Sequence, residues 1–275
     1  MAEFSAEWLA LREPADHGAV NLSVRQALIQ ALRRYSSISI VDLGCGTGSN
    51  LRSLAPMIPC QQHWTLADHD VSLLTAARSA LAGFNTPNLA SITYRQAGLS
   101  CGTFAPIIAG ATLVTGAALF DLFSAAAIDS LAAAVAANRQ IFAAVLTYDG
   151  IAAWIPASTI DGRMRDAFNK HQLRDKGFGP AAGPSAASLL AEAFAKHGYR
   201  IIRGKSPWIL DAPHAPLRAE LDRGWASAVR ETGLVPESDI AEWLALRSRP
   251  EAVTIVCHED LLALPGADVS GGQTI

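Results

Sequence analysis

The sequence predicts an α/β protein built on a doubly wound, mostly parallel sheet, and three observations carry that prediction. Apolar strand patterns alternate with helical patterns from residue 38 to residue 147, the rhythm of a parallel sheet covered by helices on both faces. The first strand contains Ser39-Ile40-Val41, β-branched and apolar as a strand buried on both faces should be, and it runs into a loop with glycine at 44, 46 and 48. Further on, Trp64-Thr65-Leu66-Ala67-Asp68 reads as a second strand that ends in a carboxylate. Ligands of such sheets gather where the strands end.

Taken in order, two helices precede the sheet. One spans about Ala6 to Arg12 and should be ended by Pro14; the other spans Leu22 to Arg34, with Val24, Leu28, Ala31 and Leu32 at helical spacing. Residues 1–35 are thus expected to form a helical lid or brace. Strands follow at 38–42, 63–67, 91–95, 111–115 and 140–147, with helices near 50–57, 70–82, 103–109, 121–138 and 184–197. The apolar stretch from Phe104 to Phe120 is broken by Pro106, Gly110 and Gly116, so it divides into a short helix and a strand rather than a membrane span. Residues 149–183 leave the rhythm: they hold Trp154, His171, Gln172, Arg174, Asp175, Lys176 and a turn-rich Gly177-Phe178-Gly179-Pro180. A connection this long is expected to be functional or mobile. Tyr199-Arg200-Ile201-Ile202 resumes as a strand, and a second insertion at about 211–250 carries helices near 214–232 and 237–248. Ala252 to Val256 supplies a seventh strand. The main domain therefore covers 36–265, and the tail from Gly266 to Ile275 is expected to be disordered.

Composition narrows the function. With 17% charged residues and a net charge of −3, the chain offers no broad basic surface for nucleic acid. Cys45, Cys60, Cys101 and Cys257 show no CxxC pair and no nearby histidine spacing, so neither a metal site nor a disulfide framework is expected. Reduced thiols fit a cytoplasmic protein. The start, Met1 to Trp8, lacks the basic region of a signal peptide.

The loop Asp42-Leu43-Gly44-Cys45-Gly46-Thr47-Gly48 separates two cofactor classes. A dinucleotide loop of the form G-x-G-x-x-G would need glycine where Ser49 stands. The pattern D-x-G-x-G-x-G, followed by a strand that ends in Asp68, instead resembles motif I of the class I S-adenosylmethionine-dependent methyltransferases. Motif evidence for this resemblance covers residues 36–148; over 184–258 it rests on pattern alone. It implies a seven-stranded sheet whose last strand slots antiparallel beside the fifth, with S-adenosylmethionine as cofactor; the acidic balance and the absence of base-methylation motifs leave a small molecule, ahead of a protein side chain, as the expected methyl acceptor.

Position by position, the resemblance implies that Asp42 anchors the methionine end of the cofactor, while Gly44, Cys45 and Gly46 let the loop approach it and Asn50 starts the following helix. Asp68 would hold the ribose, its alternative being a cap for the helix that begins near Asp70, and His69 would lie against the adenine or face solvent. The third strand leads into Ala97-Gly98-Leu99, where the family commonly has an acid and this chain has Gly98. That leaves the adenine edge to backbone groups. Thr115 and Gly116, at the end of the fourth strand, would neighbour the methionine moiety. The residues after them, Ala117-Ala118-Leu119-Phe120-Asp121, contain neither the Asn/Asp-Pro-Pro-aromatic run of DNA amino-methyltransferases nor a Pro-Cys nucleophile.

Methyl transfer from a sulfonium demands in-line placement, plus a base if the attacking atom starts protonated. Candidate bases are Tyr148 and Asp149 at the end of the fifth strand, His171 in the first insertion and His17 in the amino-terminal region. Arg163, Arg165, Arg174 and Lys176 are candidates for an anionic substrate group or, equally, the solvated face of a helix at about 162–173. Two other functions compete: a non-catalytic protein that retains the fold for binding, and an NAD(P)-dependent oxidoreductase. Oligomeric state is not legible.

Overall fold

The computed structural model describes residues 5–99 and 102–266; Cys101 and the expected tail beyond Gly266 lie outside them. The elements in chain order are α1 (Ala6–Ala19), α2 (Leu22–Leu32), β1 (Ser37–Leu43), α3 (Ser49–Leu54), β2 (Gln61–Asp68), α4 (Val71–Ala80), β3 (Leu89–Gln96), α5 (Phe104–Ile108), β4 (Leu113–Ala117), α6 (Ala125–Ala137), β5 (Ile141–Ile155), α7 (Asp161–Gln172), α8 (Ala186–Lys196), β6 (Tyr199–Lys205), β7 (Trp208–Leu210), α9 (Ala215–Thr232), α10 (Glu237–Arg247) and β8 (Val253–Pro265). The sheet order is β3-β2-β1-β4-β5-β8-β6, with β7 paired to β8. The first five strands pair in parallel, and β8 runs antiparallel between β5 and β6.

Alternate residues of the central strands feed two cores. Ile38 and Ile40 of β1 pack with Leu28 of α2, Leu51 of α3 and Leu74 of α4. Val41 and Leu43 pack on the other side with Phe104 of α5, Ile128 and Leu131 of α6 and Leu190 of α8. This period of two, covered on both faces, is why β4 is buried almost throughout while the edge strand β3 carries polar residues.

Three elements outrun their sequence expectation. Helix α1 continues through Pro14 to Ala19, although an interior proline removes an N–H and costs about 3 kcal/mol. Side-chain ties offset that cost: within the helix Arg12 forms two bonds with Asp16, and from other elements Trp208 Nε1 donates to Asp16 at 3.1 Å and Arg52 Nε to Glu13 Oε1 at 2.7 Å. Strand β5 runs to Ile155, so the first part of the expected insertion, residues 149–155, belongs to the sheet. Strand β8 runs to Pro265, past the expected end at Val256 and through the polar run His258-Glu259-Asp260; Glu259 is paired with Arg203 and Lys205, and Asp260 is fully hydrogen-bonded. The far halves of β5 and β8, with β7, carry a third core in which Trp154, Trp208, Trp225 and Trp243 pack with α7, α9 and α10. The remaining part of the first insertion is thus a docked helix, α7 on α9. Among the described residues no helix is long and apolar enough to cross a membrane.

Candidate functional site

The carboxyl-terminal ends of β1, β2 and β4 open on one cleft, and α1 lies along it. Asp42, Gly44, Cys45, Gly46, Asn50, Asp68, His69 and Leu99 line it. Asp42 is fully buried; its Oδ1 accepts from Asn50 Nδ2 at 2.8 Å, and its Oδ2 has no partner. Burial, and after it the neighbouring Asp68 charge, pushes the Asp42 carboxyl up to about 7 against the restraint of the Asn50 bond. A buried oxygen without a partner is costly, so this one calls for a donor or cation from the cleft.

Asp68 is tied into the protein itself. Its Oδ2 accepts from the Gly46 N–H at 2.9 Å and its Oδ1 from the Asp70 N–H at 3.0 Å. The cap of α4 is Asp70, whose Oδ1 accepts from Ser72 and Leu73 N–H groups. The Asp68 carboxylate therefore bolts the glycine loop to the tip of β2, with His69 Nδ1 also 3.2 Å from its Oδ1, and the residue lines the cleft. Glycine at 44 and 46 serves packing more directly than the loop pattern suggests: with φ of +59° and +52°, a Cβ there would meet the Leu119 side chain at 2.8 Å and Leu9 Cδ1 at 2.9 Å. Leu9 belongs to α1, so the amino-terminal helix seats directly on the loop.

Four expected cofactor neighbours sit elsewhere. Ala97 and Gly98 are absent from the cleft lining; the Ala97 N–H is spent on the Asp68 carbonyl at 2.8 Å, and the Gly98 carbonyl accepts from Thr103 Oγ1. Thr115 is buried beneath the cleft, accepting from Asn50 Nδ2 at 3.3 Å. Gly116 is closed off, since a Cβ there would lie 2.9 Å from both the Leu43 carbonyl oxygen and the Phe120 ring. The next three residues, Ala117, Ala118 and Leu119, reach the cleft instead.

A second cavity, of about 540 Å³, adjoins the first and shares Arg12, Ala118, Leu122, Leu146 and Lys176 with it. Such a volume is typical of small-molecule sites. Its walls come from segments far apart in sequence, among them Trp8, Tyr148, Phe168, Trp208, Trp225 and His258. Where the two spaces meet, Ala118 and Leu146 both hold positive φ, +50° and +56°, a conformation worth about 1 kcal/mol or more of strain in a residue with a Cβ. The Leu146 N–H is held by Asp260 Oδ1 at 2.8 Å and the Ala118 N–H by the Val145 carbonyl at 2.9 Å.

The structure separates the candidate bases. His17 lines the first cleft, its Nε2 against Ser49 Oγ at 3.0 Å, and so joins α1 to α3. Tyr148 and His171 line the second cavity. The Tyr148 hydroxyl donates to Asn169 Oδ1 at 2.8 Å, and burial drives its pKa upward, further from service as a base near neutrality. His171 Nε2 faces Glu231 Oε2 at 3.0 Å, leaving its Nδ1 buried without a partner. Asp149 is engaged by Lys205 Nζ at 2.9 Å. Of the four expected cations, Arg163, Arg165 and Arg174 pair with Asp239, Asp166 and Glu231, and Lys176 alone lines the cavities.

Two groups missed by sequence reading stand in the second cavity. Asp121, just past the tip of β4, is half-buried; desolvation raises its carboxyl to about 6 against the pull of Arg12 and Lys176. His258 is 6% exposed with Nδ1 unpartnered, and burial lowers its pKa to about 3, so its ring is neutral. Nothing local marks either residue: His258 sits mid-strand among polar neighbours, and Asp121 reads as an ordinary first-turn acid.

No family profile and no curated protein sequence matches the chain. Among solved structures, the cyclopropane synthase MmaA2 from Mycobacterium tuberculosis is similar over 94% of this chain and 94% of its own, at 13% identity and a TM-score of 0.52. The chain has the class I S-adenosylmethionine-dependent methyltransferase fold. The mycolic acid cyclopropane synthase CmaA1, complexed with SAH and CTAB, is similar at 13% identity over 94% of each chain, with a TM-score of 0.48. In this methyltransferase fold the glycine loop and both strand-end carboxylates stand at the cleft mouth, and β8 is the strand that slots antiparallel beside the fifth.

Proposed function

We propose that the protein is an S-adenosylmethionine-dependent methyltransferase acting on a small molecule, with the first cleft as cofactor site and the second cavity as acceptor site. One observation carries the reading: Asp42 Oδ2 is a buried, unpartnered acceptor in a cleft that Asp68 also lines. The cofactor offers partners to both groups, an ammonium for Asp42 and ribose hydroxyls for Asp68. When bound, S-adenosylmethionine supplies a methyl group on a positively charged sulfur. The chain's own work is placement. Asn50 orients Asp42, the Gly46 N–H orients Asp68, and Leu9 on α1 covers the loop. Ala118 and Leu146 shape the passage to the second cavity, whose apolar walls exclude water. Free thiols at Cys45, Cys60 and Cys257 suit the cytoplasm.

Thermal shift tests the reading. S-adenosylmethionine or its demethylated product should raise Tm and NAD(P) should not, with a linkage gain of about 2.7 kcal/mol at a ligand concentration about 100 times Kd. A shift with NAD(P) alone would replace it with the oxidoreductase.

The raised Asp42 carboxyl makes a second, pH-dependent expectation. An ammonium beside it favours the carboxylate, so below about 7 binding must expel a proton. Affinity should therefore rise as pH climbs to 7, by up to about ten-fold per unit, and level off above it. Asp42→Asn should bind more weakly and lose this slope. Calorimetry from pH 5.5 to about 8.5 checks it, and equal slopes in both proteins would remove Asp42 from the cofactor site.

A further inference from the structure

The second cavity carries more chemical information than its volume. Its walls include a group of rings: Phe168 stacks on Trp225 at 3.8 Å between centroids, while Tyr148 and Trp208 flank His258 at 6.3 and 5.2 Å. Among these walls stand polar atoms without partners. The Asp121 carboxylate has only its own backbone N–H among the described residues. His171 Nε2 is committed to Glu231, and its buried Nδ1 has no partner among the described residues. His258, more than nine-tenths buried, also has an unpartnered Nδ1, and a neutral ring can present that nitrogen as donor or acceptor. Lys176 supplies a flexible donor at the junction.

Charges of both signs stand here: Asp121 and Glu220 on one side, Lys176 and Arg12, itself paired to Asp16, on the other, so neither charge extreme suits the cavity. A cationic amine would approach Asp121 but also the charges of Arg12 and Lys176, both close enough to act on that carboxylate. An anion would meet Asp121 itself at the same point. A neutral hydroxyl donates to a carboxylate or an imidazole lone pair and accepts from an ammonium, so it satisfies every unpartnered atom without burying an unpaired charge. Flat ring walls favour a flat ring between them.

We propose that the second cavity binds a neutral, hydroxylated aromatic molecule, seated against the Phe168, Trp208 and Trp225 walls with its hydroxyls on Asp121, His171 and His258. Its identity as the methyl acceptor rests on the methyltransferase reading; its binding does not. The ring lies between α7, α9 and the β5–β8 ribbon, and the hydroxyl nearest Ala118 and Leu146 faces the cofactor cleft.

Calorimetry on the full chain without cofactor tests this, with naphthalene-2,3-diol as probe and naphthalene, naphthalene-2-carboxylate and naphthylmethylammonium as comparators. The diol should bind at least about ten-fold tighter than each comparator, the scale of one hydrogen bond to a charged group. Asp121→Asn and His171→Phe should each weaken the diol by about ten-fold and leave naphthalene unchanged. Both variants should keep the S-adenosylmethionine thermal shift, which reports that they are folded and that the cofactor cleft is intact. Tighter binding of the carboxylate or the ammonium overturns the proposal, as does a diol that does not bind or binds both variants as well as the unaltered protein. Loss of the cofactor shift in the unaltered protein, with diol binding retained, overturns only the methyl-transfer reading.

Discussion

Asp260→Ala should lower Tm by about 10 °C. The carboxylate is 1% exposed and carries three bonds: Oδ1 accepts from the Leu146 N–H at 2.8 Å and from Ser206 Oγ at 2.7 Å, and Oδ2 accepts from the Asn21 N–H at 2.7 Å. Its truncation leaves two backbone donors and a hydroxyl unpaired in the interior, a cost of about 3–5 kcal/mol, and about 2–4 °C of Tm accompanies each kcal/mol in a chain of this size. Asparagine should not rescue it, because both oxygens face N–H donors and an amide must turn its NH₂ toward one of them. The damage should also reach the site, since Asp260 holds Leu146 in its strained conformation and fixes Asn21 at the start of α2. Asp260→Ala should therefore weaken diol binding in the second cavity as well. Calorimetric melting with unchanged Tm in the alanine variant would show that water replaces all three bonds.

Asp68→Ala should cost both stability and affinity. Read from sequence, this carboxylate is a strand-tip group whose removal takes away only a ligand contact. In the structure it also accepts the Gly46 and Asp70 N–H groups, so the glycine loop loses its tie to β2. A stability loss of about 2–3 kcal/mol follows from two unpaired backbone donors, and S-adenosylmethionine should bind about 10- to 150-fold more weakly. Asp68→Asn should fail in the same way, for the same geometric reason as at Asp260. Unchanged affinity in a variant with lowered Tm would leave Asp68 a purely structural residue.

The sequence by itself determined the sheet. Runs such as Ile38 to Leu43 and Leu113 to Ala117 are apolar enough to be strands only if covered on both faces, and the helices between them force parallel pairing. It also placed the glycine loop and the two acids, because local chain geometry demands those residue types within a few positions. What it could not show was anything whose partner lies far along the chain. Pro14 reads as a helix end, yet α1 passes through it because Asp16, Glu13 and Leu9 are held by Trp208, Arg52 and Gly46. The expected last strand stops at Val256, yet the strand runs on through His258-Glu259-Asp260, since each carboxylate finds its donors on other elements. Thr115 and Gly116 share a strand end with Ala117 to Leu119, and only the packing of Leu43 and Phe120 decides which of them meets the cleft. The second cavity is the extreme case. Its rings and unpartnered polar atoms come from α1, the turn after β4, β5, α7, β7, α9 and β8, and no local pattern records it because burial and partnership are properties of the folded surface, not of neighbouring residues.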